Sequence, residues 1–139
     1  MSSIVQTQTT SFKKELYEAV HNLSSDTLKI ALYTGNASLN EDTTVYTTSN
    51  EVVASGYTAG GEALTGVAIS SSGYTAYVNW ANVSWTAAIT ARCALIYNVT
   101  QGNKSIAVID FGADKTSTTT FTITMPANTS TTALIRSSN

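Results

Sequence analysis

Charge is scarce in this chain: Asp, Glu, Lys and Arg make up 12% of its 139 residues, about half the ~25% usual in soluble domains. Lys+Arg 7 against Asp+Glu 9 gives a formal net charge of -2. Without the cationic excess that neutralising phosphates requires, no nucleic acid partner is expected. Cysteine is limited to Cys93, which leaves no internal disulfide and no thiolate zinc set, and makes the redox compartment unreadable. Histidine is limited to His21 and proline to Pro126. No run approaches the ~18 apolar residues of a membrane-crossing helix, so no membrane partner is expected. Residues 1–10 lack the basic start and apolar stretch of a secretory signal. With a starting methionine, this favours synthesis and use without export.

What the chain does hold is hydroxyl: 24 Thr and 17 Ser. An apolar share of 42% at this length fits one domain with a modest core and a surface more hydroxyl than ionic. Asn-x-Ser/Thr triplets begin at Asn22, Asn36, Asn82, Asn98, Asn103 and Asn128. Chance supplies roughly three in so Ser/Thr-rich a chain, and glycosylation needs a secretory route that is not advertised, so these are expected as turn and strand-end residues.

Phe12, Leu16, Ala19, Val20 and Leu23 recur at helical spacing, which predicts an amphipathic helix over 12–23 with Ser11 as N-cap. Everything after Ser25 reads as short β-runs. The first strand is expected over 27–34, with Leu28, Ile30 and Leu32 on one face. Weak strands are expected near 44–47 and 51–54. A hairpin is expected from 62–70 and 74–80 around Ser71-Ser72-Gly73. Further strands follow at 82–86, at 89–98 (apolar on both faces, as a central strand is), and at 104–111, 118–125 and 131–136, with Pro126 separating the last two. The reading is mainly β: an antiparallel β-sandwich or jelly roll of about eight strands with one short N-terminal helix. Residues 1–10 read as a flexible arm and 11–139 as a single domain. Ile4 and Val5 are the arm's candidate interface residues.

If 89–98 and 104–111 form a hairpin closed by 99–103, Asn98 opposes Lys104 and Arg92 opposes Asp110. The two are then expected to form a structural ion pair that sets register, and a one-residue shift would place them on opposite faces.

Little else suggests chemistry. His21 is expected as a surface or helix-capping residue, since a catalytic triad would need a nucleophile that carries no signature here. Cys93 is expected as a small buried hydrophobe. Glu41, Asp42, Glu51 and Glu62 are sparse and lack calcium-loop spacing, so loop solvation is their expected role. Asp110-Phe111-Gly112 copies the kinase magnesium triplet without the phosphate loop that would give it meaning. No catalytic residue, cofactor or metal is expected. Trp80 and Phe121 are expected in the core. Tyr46 and Tyr57, in a long turn-rich stretch, are candidate interface residues able to stack on sugars or anchor a protein contact.

Ser11-Phe12-Lys13-Lys14-Glu15-Leu16, then His21, then Thr27-Leu28-Lys29-Ile30-Ala31-Leu32-Tyr33-Thr34, resembles the start of a family of small virion structural proteins of tailed bacteriophages. Gly56-Tyr57-Thr58-Ala59-Gly60-Gly61, Ala91-Arg92-Cys93-Ala94-Leu95-Ile96-Tyr97-Asn98 and Val108-Ile109-Asp110-Phe111-Gly112-Ala113-Asp114-Lys115 extend the resemblance over nearly the whole chain. Cys93 stands where a small residue such as Gly is expected. The resemblance implies a non-enzymatic virion component made in the host cytoplasm. Its members look more like head decoration (cement) proteins on the outer head surface than tail proteins. The implied partners are the major capsid protein and further copies of the chain, as a homo-oligomer such as a trimer. A tail, baseplate or fibre component and a carbohydrate-binding adhesion module are the alternatives.

Overall fold

The computed structural model describes residues 3–138, which form twelve strands and one helix. Strand β1 (Ser3–Ile4) and strand β2 (Thr7–Gln8) precede helix α1 (Thr10–Tyr17). Strands β3 (Leu28–Tyr33), β4 (Ser38–Leu39), β5 (Glu62–Ala63), β6 (Ala68–Ser72) and β7 (Thr75–Asn79) follow. Then come β8 (Val83–Trp85), β9 (Thr90–Asn98), β10 (Lys104–Thr116), β11 (Phe121–Ile123) and β12 (Ile135–Ser138). The fold is mainly β, as expected. Four strands, β1, β2, β4 and β5, are only two residues long, and the other eight match the expected number.

A five-stranded sheet ordered β2-β10-β9-β3-β5 forms the centre. One face carries Leu28, Ile30 and Leu32 from β3 and Ala94 and Ile96 from β9. It packs on a second layer made by the β12-β7-β6 sheet and the β11-β8 pair, through Val78, Val83, Trp85, Phe121 and Ile135. Phe12 of α1 closes one end of this core. Trp80, just past β7, and Phe121 of β11 lie in it as expected, 5% and 6% exposed. The opposite face carries Ala31, Tyr33, Cys93, Leu95, Tyr97 and Val108. It is covered by Ile4, Ala37, Leu39 and Tyr46 from the N-terminal segment and the loop after β3. Burial on both faces explains why β9 reads as apolar on both; β3, expected with Leu28, Ile30 and Leu32 on one face, is covered on its other face as well, through Ala31 and Tyr33.

Several expectations are corrected. The described part of the segment expected as a free arm is built into the fold, while Met1 and Ser2 lie outside the described residues. β1 pairs in parallel with β4, a departure from an all-antiparallel fold, and β2 pairs antiparallel with β10. Thr9, fully buried, caps α1 by accepting a hydrogen bond from the Phe12 N–H, a role expected for Ser11. The helix also ends six residues early. Ala19 takes a left-handed backbone (φ 58), with the Val20 N–H donating to Glu15 O and the Ala19 N–H to Leu16 O. This is a Schellman termination whose usual glycine signal is missing. The weak strands near 44–47 and 51–54 are isolated bridges, Val45 to Lys104, Tyr33 to Glu51 and Ala54 to Tyr57. The hairpin is β6–β7, turning at Gly73-Tyr74 with Gly73 at φ 58; Glu62 and Ala63 pair with β3 instead.

The β9–β10 register begins as expected, Lys104 opposite Asn98 and Ser105 opposite Tyr97, then slips by one at Ile106, so that Asp110 opposes Cys93. A bulge adds one residue that a pattern of apolar side chains on a doubly buried strand cannot reveal.

Candidate functional site

The side chains with chemical potential fall into four places. The first is Glu51, only 7% exposed although the loop around it is polar. Tyr46 Oη donates to its Oε1 (2.6 Å), and Tyr57 Oη and the Gly60 N–H (2.8 Å) donate to Oε2. Tyr57 Oη in turn accepts from the Leu32 N–H (2.9 Å), and Tyr97 Oη donates to Gly60 O (2.6 Å). Tyr46 stacks on Tyr97 with ring centroids 4.6 Å apart. Burial, with the Glu51 carboxylate beside it, pushes the Tyr97 phenol up to about 12 and drives Tyr33, Tyr46 and Tyr57 upward as well. Gly61 makes the arrangement possible. At φ 81, its backbone runs so close to β3 that a Cβ there would sit 1.8 Å from Ile30 O.

With both oxygens accepting hydrogen bonds from within the chain and the residue only 7% exposed, this carboxylate serves as the knot of its loop. Tyr57, expected as an interface residue, is therefore a core residue, and Tyr46 is half-buried with its hydroxyl engaged. Sequence reasoning missed Glu51 because its partners lie five residues before and six after it, a spacing with no periodic signature.

The second place is a polar chain beneath α1. His21 Nε2 meets Glu15 Oε1 at 2.8 Å. Asn98 Nδ2 donates both to His21 Nδ1 (2.9 Å) and to Asp26 Oδ2 (2.8 Å). Since an amide nitrogen only donates, His21 Nδ1 accepts and Nε2–H donates to Glu15. The Asn22 N–H, with the Asn98 amide behind it, holds the Asp26 carboxyl below its ordinary value. His21 was expected as a surface or helix-capping residue; its side chain is instead fully buried. The early helix end causes this, turning the chain back so that the ring lies against Phe12 and bridges α1 to β9.

The third is Arg92 with Asp110. They do not oppose one another, yet Arg92 Nε lies 3.2 Å from Asp110 Oδ1. Between Asp110 opposite Cys93 and Lys115 opposite Ala91, β10 spends four residues against one on β9. Asp110 curls into this wide bulge and also accepts from the Gly112 N–H at 2.8 Å. The ion pair exists, but it follows from the bulge and does not set register. Cys93, beside it, is fully buried as expected, and burial pushes its thiol up to about 12.

The fourth is a groove of about 720 Å³ between α1 and the β12-β7-β6 sheet, bordered by Leu16, Tyr17, Ile69 and Tyr77. Leu16, Tyr17 and Ile69 are exposed, Tyr17 by 93%. Of the expected arm contacts, Ile4 is half-buried on its own chain and Val5 is 42% exposed. Among the described residues no three His, Cys, Asp or Glu side chains converge as a metal site, and no helix is long and apolar enough to cross a membrane. Comparison with models of protein families, with curated proteins and with solved structures finds no match.

Proposed function

We propose that this chain is a non-enzymatic bacteriophage virion structural protein, a capsid decoration (cement) protein that stabilises the outer surface of the head. The observation that carries this reading is how the reactive side chains are employed. His21, Glu51 and Cys93 are all buried, the first two hydrogen-bonded to partners within the chain. What faces outward is hydroxyl and apolar surface suited to contact. The resemblance of residues 11–16, 27–34, 91–98 and 108–115 to small virion proteins of tailed phages supports the same role. Its partners are then the major capsid protein and further copies of the chain. The adhesion alternative loses support, because the hydroxyls of Tyr46 and Tyr57, the side chains offered for sugar stacking, are tied to Glu51.

The test is imaging of phage particles that carry a labelled copy of this chain. Label spread over the head at many copies is expected. Label confined to the tail, or its absence from purified particles, overturns the decoration role.

A further inference from the structure

We infer that the open edge of β6 pairs antiparallel with β6 of a second copy of this chain, about a twofold axis at Ser70, joining two three-stranded sheets into one of six strands. All five residues of β6 are exposed. In the order β12-β7-β6 its outer side has no neighbouring strand among the described residues, whereas the outer side of β12 is held by Gln8, whose Nε2 donates to Arg136 O at 3.0 Å. Such edges are normally guarded by charge, proline or a covering element. None stands here: residues 63–91 hold no Asp, Glu, Lys, Arg, His or Pro.

Hydrogen-bond parity sets the register that a second copy takes. Ser72 and Thr75 flank the two-residue turn and form a bonded pair, so Ser70 and Ala68 also bond inward to β7. The N–H and C=O groups of Ile69 and Ser71 therefore point outward. A second β6 running antiparallel and centred on Ser70 places Ile69 opposite Ser71 of the other copy and Ser71 opposite its Ile69, which satisfies all four groups at each edge. Nothing charged is brought together, so the uncharged segment is compatible with itself. The same register sets the two Ile69 side chains diagonally at roughly 7–8 Å and brings the Gly73-Tyr74 tip of each copy beside Val67 of the other. Val67, Ile69 and Tyr74, exposed by 37%, 56% and 88%, thereby border the new seam. The groove beside Ile69, with Leu16 and Tyr17 on its far wall, extends the contact.

This surface supplies the self-association included in the virion reading and rests on that reading only to that extent. Its test uses purified full-length chain, so it can fail while labelled particles still show head decoration, and the reverse. Sedimentation analysis is expected to show a monomer–dimer equilibrium. Ser71→Pro removes an outward N–H without touching the β6–β7 ladder and is expected to weaken association by about tenfold or more. Ile69→Lys, at an exposed position, sets two ammonium groups near each other and does the same if the proline variant proves unstable. Ser70→Cys is expected to give an oxidised dimer, since a non-bonded antiparallel pair holds Cα atoms about 4.5 Å apart, within disulfide reach. Val53→Cys, on a 97% exposed loop residue, should not. A chain that stays monomeric overturns the proposal, and would also be the result if the edge receives a strand of a different protein. Association unchanged in whichever variant folds, or no more cross-linking through Cys at 70 than at 53, overturns it equally.

Discussion

The central sheet and the outer β12-β7-β6 sheet use the same kinds of residue to opposite ends. In the central sheet, Ile30, Leu32, Leu95 and Ile96 are fully buried, and Glu51 and His21 beside it are hydrogen-bonded within the chain. In the outer sheet, β7 and β12 bury Val78 and Ile135, but β6 leaves Ile69 in solvent and its backbone edge open. The lesson is that apolar content alone does not locate a core. A strand is buried when it has neighbours on both sides and a layer on each face, and β6 has one neighbour and half a layer.

The difference can be broken by substitution. Ile96→Ala, in the centre, is expected to cost about 2–5 kcal/mol in denaturant unfolding, the range for emptying a buried isoleucine site; a cost like that of a surface change would mean β9 is not central. Glu51→Ala leaves two phenols and the Gly60 N–H without their acceptor and is expected to cost about 3 kcal/mol. Glu51→Gln should recover most of that loss, because its amide oxygen can accept from Tyr57 and Gly60 while its nitrogen donates to Tyr46.

The tyrosine cluster also makes a pH prediction. Tyr33, Tyr46, Tyr57 and Tyr97 have folded-state values raised above the ~10 of an unfolded chain. The stability they contribute is therefore fully present below about pH 10 and is lost as pH rises toward and through their folded values. Tyrosinate absorbance from four of the seven tyrosines should appear together with loss of the circular dichroism signal. Ionisation of all seven near pH 10 with the fold intact would refute this account.

Arg92→Ala removes a partly exposed ion pair and is expected to cost no more than about 1 kcal/mol. The smallest effect belongs to the outer sheet, where Ile69→Ala should change the stability of the isolated chain by less than about 0.5 kcal/mol. That contrast with Ile96→Ala, between two isoleucines on strands of one fold, is the sharpest form of the comparison.

Much of this architecture was legible from local pattern. A run apolar on both faces marked β9, Leu28, Ile30 and Leu32 in alternation marked β3, alternation around Gly73 marked the β6–β7 hairpin, and Val83 and Trp85 marked β8. Where a feature depended on an extra residue or a distant partner, the pattern was silent. Ala19 ends α1 without glycine, Ile106 inserts a bulge among equally apolar neighbours, and Thr7–Gln8 joins β10 across a hundred residues of chain.

Apolar residues recurring with a period of two make this protein mainly β, because that spacing separates core from solvent only on a strand. The sequence pattern also put β9 at the centre, since only a doubly covered strand gains from being apolar on both faces. Tertiary structure decided the fate of the individual polar groups. Glu51, His21 and Asp110 each found partners through a turn, a helix end or a bulge, and hydrogen bonds of 2.6–3.2 Å depend on positions in space that spacing along a chain does not encode.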